Sequence, residues 1–132
     1  MKRAKARQSY IGLLEWFRPG EYERVEAVLA DVRTLGISSL RTGISWADSF
    51  RPNAQAWFDR QMEALAEFKV TLTFCFTPEH RGIAPHHTSP PTDPREFAEF
   101  CARMIDRYGR TEAPTPASVT PVETAGVQPC AL

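Results

Sequence analysis

Three places in this chain gather side chains able to hold a polar ligand. Glu15-Trp16 closes a short apolar run, Arg41 and Trp46 lie on a second, and Pro78-Glu79-His80 follows a third. Indole rings pack on the apolar faces of sugars, while carboxylate, guanidinium and imidazole groups hydrogen-bond hydroxyls. Glu15, Trp16, Arg41, Trp46 and His80 therefore read together as a carbohydrate-binding set. Arg41 is the most demanding of the five, because a charge within an apolar strand requires a buried partner.

Other chemistries find less support. His80, His86 and His87 share one loop with Glu79, but their spacing fits no zinc pattern such as H-E-x-x-H, and a solvated, mobile loop is expected. No metal site and no cofactor are expected. The turn after the first apolar run, Arg18-Pro19-Gly20-Glu21, has neither the G-x-G-x-x-G nor the Walker pattern of nucleotide sites. Cys75 and Cys101 sit in apolar surroundings and read as small buried hydrophobes; with Cys130 they form no C-x-x-C pair.

The elements that must position these residues repeat at about 30 residues, the size of a βαβ unit. The apolar runs 10–17, 39–46 and 70–76 predict strands, the first of them buried on both faces. Between them, Val25, Val28, Leu29, Val32 and Leu35 mark a helix from Glu21 that Gly36 ends. Trp57, Phe58, Met62, Leu65 and Phe68 mark a second, with Asn53 as its N-cap. The third has Asp93 as N-cap, Pro94 at the first helical position and Glu96 completing a capping box. Phe97, Phe100, Cys101, Met104, Ile105 and Tyr108 form its apolar stripe, and Gly109 ends it.

Alternating strands and helices predict a parallel sheet, either in an open doubly wound fold or in a (β/α)8 barrel. Active sites of barrels lie at the carboxyl ends of the strands, where the five candidate residues fall. The chain divides into a basic, flexible N-terminus (1–9), three βα units (10–109) and a tail (110–132) rich in Pro, Thr and Ala that is expected to be disordered.

Among 132 residues, 16 Lys and Arg balance 16 Asp and Glu, so no global field favours nucleic acid or an anionic membrane. No apolar run reaches the length of a membrane helix or of a signal peptide, and a cytoplasmic location is expected.

Residues from Tyr10 to Gly109 resemble the first three βα units of retaining glycoside hydrolases with (β/α)8 barrels, especially those similar to β-xylosidases. The likeness rests on Ile11-Gly12-Leu13-Leu14-Glu15-Trp16, on Leu40-Arg41-Thr42-Gly43-Ile44-Ser45-Trp46 and on Trp57-Phe58-Asp59. Ser89-Pro90-Pro91-Thr92-Asp93-Pro94, Phe97, Phe100 and Arg107-Tyr108-Gly109 extend it. The resemblance implies an incomplete (β/α)8 TIM barrel. It also implies that Arg41 matches an arginine that keeps the catalytic nucleophile ionised. Trp16 and Trp46 match positions where rings stack on sugar, and Glu15 and His80 match pocket-lining positions.

In that family the acid/base glutamate follows an asparagine on the fourth strand, and the nucleophile ends the seventh. Asn53 is the single asparagine of this sequence and no glutamate follows it. No catalytic residue is therefore assigned, and an inactive glycosidase fragment is expected, cut short after the third unit by a frameshift or premature ending. A small carbohydrate-binding module, or a chain that completes its sheet with a partner protein, are the alternatives. Self-association through open sheet edges is expected too. In this reading Leu13, Ile44, Leu72 and Phe74 face the barrel interior and lose its opposite wall.

Overall fold

The computed structural model describes residues 11–109. The expected basic N-terminus, the expected tail and Cys130 lie outside the described residues. Strands β1 (Leu13–Leu14), β2 (Ser39–Ser45) and β3 (Lys69–Cys75) alternate with helices α1 (Tyr22–Thr34), α2 (Ala54–Ala64) and α3 (Pro94–Tyr108). The sheet is parallel, in the order β1-β2-β3, with Leu40 opposite both Leu13 and Val70 and Ile44 opposite Phe74. The fold is α/β, with three βα units.

All three helices cover the same face of this sheet. Val25, Leu29 and Val32 of α1, Trp57 and Phe58 of α2, and Phe100 and Met104 of α3 form one core with Leu40 and Ile44 of β2. Consecutive parallel strands joined by right-handed crossovers give this result, since each crossover leaves on the same side. Leu13, Leu72 and Phe74 pack against that core. The expectation that Leu13, Ile44, Leu72 and Phe74 face away from the helices is thus reversed. Side chains alternate along a strand, and Arg41, with its neighbours Thr71 and Thr73, takes the uncovered face instead. An almost continuous apolar run carries no phase of its own, which is why the sequence pattern left it open.

The first strand is shorter and wetter than its composition suggests. Its ladder pairs Leu13 with Leu40 and Leu14 with Arg41, and the Glu15 amide adds a 3.0 Å bond to the Arg41 carbonyl. Leu14 points to the uncovered face and is 62% exposed.

Helix ends follow the local sequence with two exceptions. Gly36, at φ +67°, ends α1 as its amide bonds the Arg33 carbonyl (3.0 Å) and that of Ile37 bonds Val32 (3.2 Å). Asp93 caps α3 through a 2.9 Å bond from the Arg95 amide to its side chain, with Pro94 next. Asn53 precedes α2 in a left-handed conformation (φ +60°), however, and its side chain caps nothing. Glu96 forms no reciprocal capping box; its carboxylate takes the guanidinium of Arg81 instead. Ile105, placed in the apolar stripe of α3, is 53% exposed, whereas Phe97, Phe100, Cys101, Met104 and Tyr108 of that helix pack on the core.

Residues 77–92 form a loop folded on itself rather than a loose one. A 3-10 turn at Glu79–Arg81 begins it, Gly82 bridges to Pro91, and the Ser89 hydroxyl accepts the Ala84 amide at 2.9 Å. The Thr92 amide bonds the Arg81 carbonyl (2.8 Å), which closes the loop at the start of α3. Among the described residues, no helix is long and apolar enough to cross a membrane.

Candidate functional site

The carboxyl ends of the strands hold a cleft of about 600 Å³. Trp16 follows β1, Ser45 and Asp48 follow from β2, and Phe76 and His87 close the side next to β3. Trp16 lies across β2 at Gly43: a Cβ built on Gly43 would overlap the Cζ3 and Cη2 atoms of the indole's six-membered ring. Glycine is required there because backbone and ring share the space a side chain would fill.

Phe76 supplies the next wall. It leaves β3 at φ +64°, a left-handed conformation that costs a residue with a side chain about 1–2 kcal/mol. Two bonds hold it there: the Ala47 amide donates to the Phe76 carbonyl (2.8 Å) and the Thr77 amide to that of His87 (2.9 Å). The phenyl ring then meets Trp16 edge-on at 5.2 Å and His87 at 5.1 Å. His86 extends the row, 4.4 Å from His87.

The polar rim arises where β2 turns. The Ser45 hydroxyl accepts the Asp48 amide at 3.0 Å and starts a 3-10 turn at Asp48–Phe50. That turn brings the Arg51 Nε to 2.8 Å from the Asp48 carboxylate. On the opposite rim the Arg18 amide donates to the Glu21 carboxylate (2.8 Å), and the Glu21 amide returns a bond to the Arg18 carbonyl (3.1 Å). Arg18 is exposed and lines the cleft, and among the described residues its guanidinium has no hydrogen-bonding or charged partner.

The structure separates the five residues singled out from sequence. Trp16 and Arg41 share the uncovered face, where a hollow of about 170 Å³ between them is lined by Leu14 and Thr73. Arg41 is exposed and donates from Nε to the Thr73 hydroxyl (3.1 Å); no carboxylate pairs with it among the described residues, so the buried partner expected for its charge is not found. The alternation that turns Leu40 and Thr42 to the helices turns Arg41 to water.

Glu15 points the other way, toward α1. Its carboxylate pairs with Arg24, which also bonds the Trp16 carbonyl at 2.9 Å. Trp46 is 2% exposed, its ring against Phe97 at 5.5 Å and Phe100 at 6.3 Å, so its aromatic surface is spent on seating α3. His80 rests edge-on against Phe50 at 4.8 Å, apart from His86 and His87. No group of three or more His, Cys, Asp or Glu side chains able to hold a metal converges among the described residues.

Cys75, half-buried on β3, has its thiol pushed up to about 11 by burial and by the negative charge of Asp48. At neutral pH it stays protonated and is a poor nucleophile. Burial likewise raises the Cys101 thiol.

Sequence reasoning passed over Phe76, whose placement depends on tertiary hydrogen bonds, weighed His87 only as a metal ligand, and left out Arg18, Ser45, Asp48 and Arg51. For those last four the signal was their position at or just past the end of a strand, where side chains of a parallel sheet converge. An apolar groove of about 240 Å³ between Tyr22, Val25, Trp57 and Ala64 belongs to the outer helical layer, away from these strand ends. No family model matches this sequence, and no curated protein matches it.

Proposed function

We propose that residues 11–109 are the first three βα units of a (β/α)8 winding of the glycoside-hydrolase kind, and that their strand-end cleft binds carbohydrate without cleaving it. The winding is supported by the helices, all of which cover one face; a doubly wound sheet would place helices on both. The observation that carries the ligand class is the aromatic wall of Trp16 and Phe76 beside polar Ser45, Asp48 and His87. Apolar ring faces with a few convergent polar groups are what a sugar requires.

Binding without hydrolysis follows from the carboxylates. Retaining hydrolysis uses two, about 5–5.5 Å apart across the glycosidic bond. Asp48 is the one carboxylate lining the cleft, and Arg51 already holds it. Glu15, the carboxylate just past β1, is turned to α1 and held by Arg24. The outward edge of β3 supports a further part of the proposal, self-association, since among the described residues no strand pairs with that side of its seven residues.

Tryptophan fluorescence tests the reading. Trp46 and Trp57 are buried, so a ligand in the cleft reports through Trp16. Neutral xylose and glucose oligosaccharides are expected to shift the emission saturably, while aryl glycosides of the same sugars are not hydrolysed. Turnover that disappears in an Asp48→Asn variant would overturn the non-catalytic reading, and the lack of a saturable shift with every sugar, neutral or charged, would overturn the ligand class.

A further inference from the structure

The cleft does not carry balanced charge. Arg18 and Arg51 line it as permanent cations, and Asp48 is the single anion. Asp48 and Arg51 satisfy each other at 2.8 Å, with Asp48 anchored from behind by the Ser45 hydroxyl on its amide. That leaves one guanidinium in excess, on Arg18. Its backbone is pinned at the rim by the paired Arg18–Glu21 bonds, while the Glu21 carboxylate is drawn off to Arg24. The same lining carries the aromatic wall of Trp16 and Phe76.

From this juxtaposition we infer that the cleft selects an acidic carbohydrate, a sugar bearing a carboxylate, whose ring packs on Trp16 and Phe76 while its carboxylate is held by Arg18. The inference rests on the carbohydrate reading above and adds the charge of the ligand. Guanidinium presents a planar fork that matches a carboxylate with two parallel hydrogen bonds, which a lone ammonium cannot do. Such a bond discriminates strongly, because a neutral sugar leaves the arginine with water while the acid replaces that water by an ion pair beside an apolar wall.

The test compares ligands that differ only in charge. Trigalacturonate is set against its methyl ester, and an aryl β-glucuronide against the aryl β-glucoside, by Trp16 fluorescence and by ligand-observed NMR, at low and at raised salt. The acids are expected to bind at least tenfold more tightly than their neutral counterparts, with a preference that shrinks as salt rises. Arg18→Gln is expected to abolish the preference, and Arg18→Lys to restore part of it. Arg18 is exposed, so a thermal melt of each variant should match that of the parent. Equal binding of acid and ester overturns the inference and leaves the carbohydrate reading standing. Selectivity that survives in Arg18→Gln overturns the role of this residue, and acetate competing as well as the uronate would show an anion site without a sugar. Failure of every sugar, charged or neutral, overturns both readings.

Discussion

Asp59 on α2 and Arg107 on α3 meet as a two-pronged pair, Nε to Oδ1 and Nη2 to Oδ2, each at 2.7 Å. The Tyr108 hydroxyl donates to the same carboxylate at 2.7 Å, and Gln55 reaches it at 3.1 Å. Four side chains thus tie the last turn of α3 to the first turns of α2. The pair joins Trp57-Phe58-Asp59 to Arg107-Tyr108-Gly109.

This cluster sets an acid limit. The hydrogen bonds from Arg107, opposed in part by burial and aided by Tyr108 and Gln55, lower Asp59 from 3.8 to about 2. A carboxyl whose pKa is depressed in the folded state adds stability that is fully present above its unfolded value, near pH 4. It is lost as pH falls through that range toward 2. Both partners are partly exposed, so screening holds the contribution to about 0.5–1 kcal/mol. Urea melts between pH 2 and 6 should show Asp59→Asn less stable at pH 6 and equal to the parent near pH 2. A constant difference across that range would refute the linkage.

Gly43 and Trp16 form a second pair with a measurable consequence. Gly43→Ala drives its Cβ into the Cζ3–Cη2 edge of the indole, with even the third nearest ring atom, Cε3, at 2.7 Å. The ring must leave β2 or the strand must shift, at a cost of about 1–3 kcal/mol. Because Trp16 also lines the cleft, this variant should lose sugar-induced fluorescence changes as well as stability. A variant that melts like the parent and keeps the same emission would show that the ring does not sit on Gly43.

Beneath the sheet, Gln61 of α2 is 1% exposed and donates to the Thr42 hydroxyl of β2 at 3.3 Å. A buried amide stripped of its partner costs about 1–3 kcal/mol, whereas replacing both groups by apolar ones is far milder. Thr42→Val should therefore destabilise more when alone than when combined with Gln61→Leu. A double-mutant cycle by urea unfolding measures that coupling, and additive effects would mean that the bond carries nothing.

How much of this was legible in the residues depends on which physical signal each feature leaves. The three βα units, the Gly36 stop and the Asp93-Pro94 start are local patterns, and the structure contains them. The face of each strand was not legible, because Leu13-Leu14 and Ile44 belong to runs with no alternation, and only tertiary cover decides which side is wet. Trp46 was read as a ligand platform because a tryptophan at a strand end looks alike in either role; Phe97 and Phe100, 51 and 54 residues further on, decide it. Glu15 was likewise claimed by Arg24, an ion pair that only the folding of α1 onto β1 creates. Phe76 left no sequence signal, since its positive φ arises from hydrogen bonds made by Ala47 and Thr77.

The sheet edges give the last prediction. β1 contributes two residues to its ladder, but β3 runs seven, from Lys69 to Cys75, and among the described residues nothing is hydrogen-bonded along its outer side. Open strands of that length recruit another strand unless charge or proline blunts them. Lys69 protects only the first position, and Thr71 and Thr73 on the uncovered face offer no repulsion. Leu14 adds exposed apolar area on the same face. Sedimentation velocity across a hundredfold range of concentration should therefore show reversible association of the parent, and Thr71→Lys should shift it toward monomer. Leu14→Lys, on the opposite edge strand, should do less, because the β1 ladder is too short to template a partner. A parent that sediments as a compact monomer at every concentration would exclude association through β3.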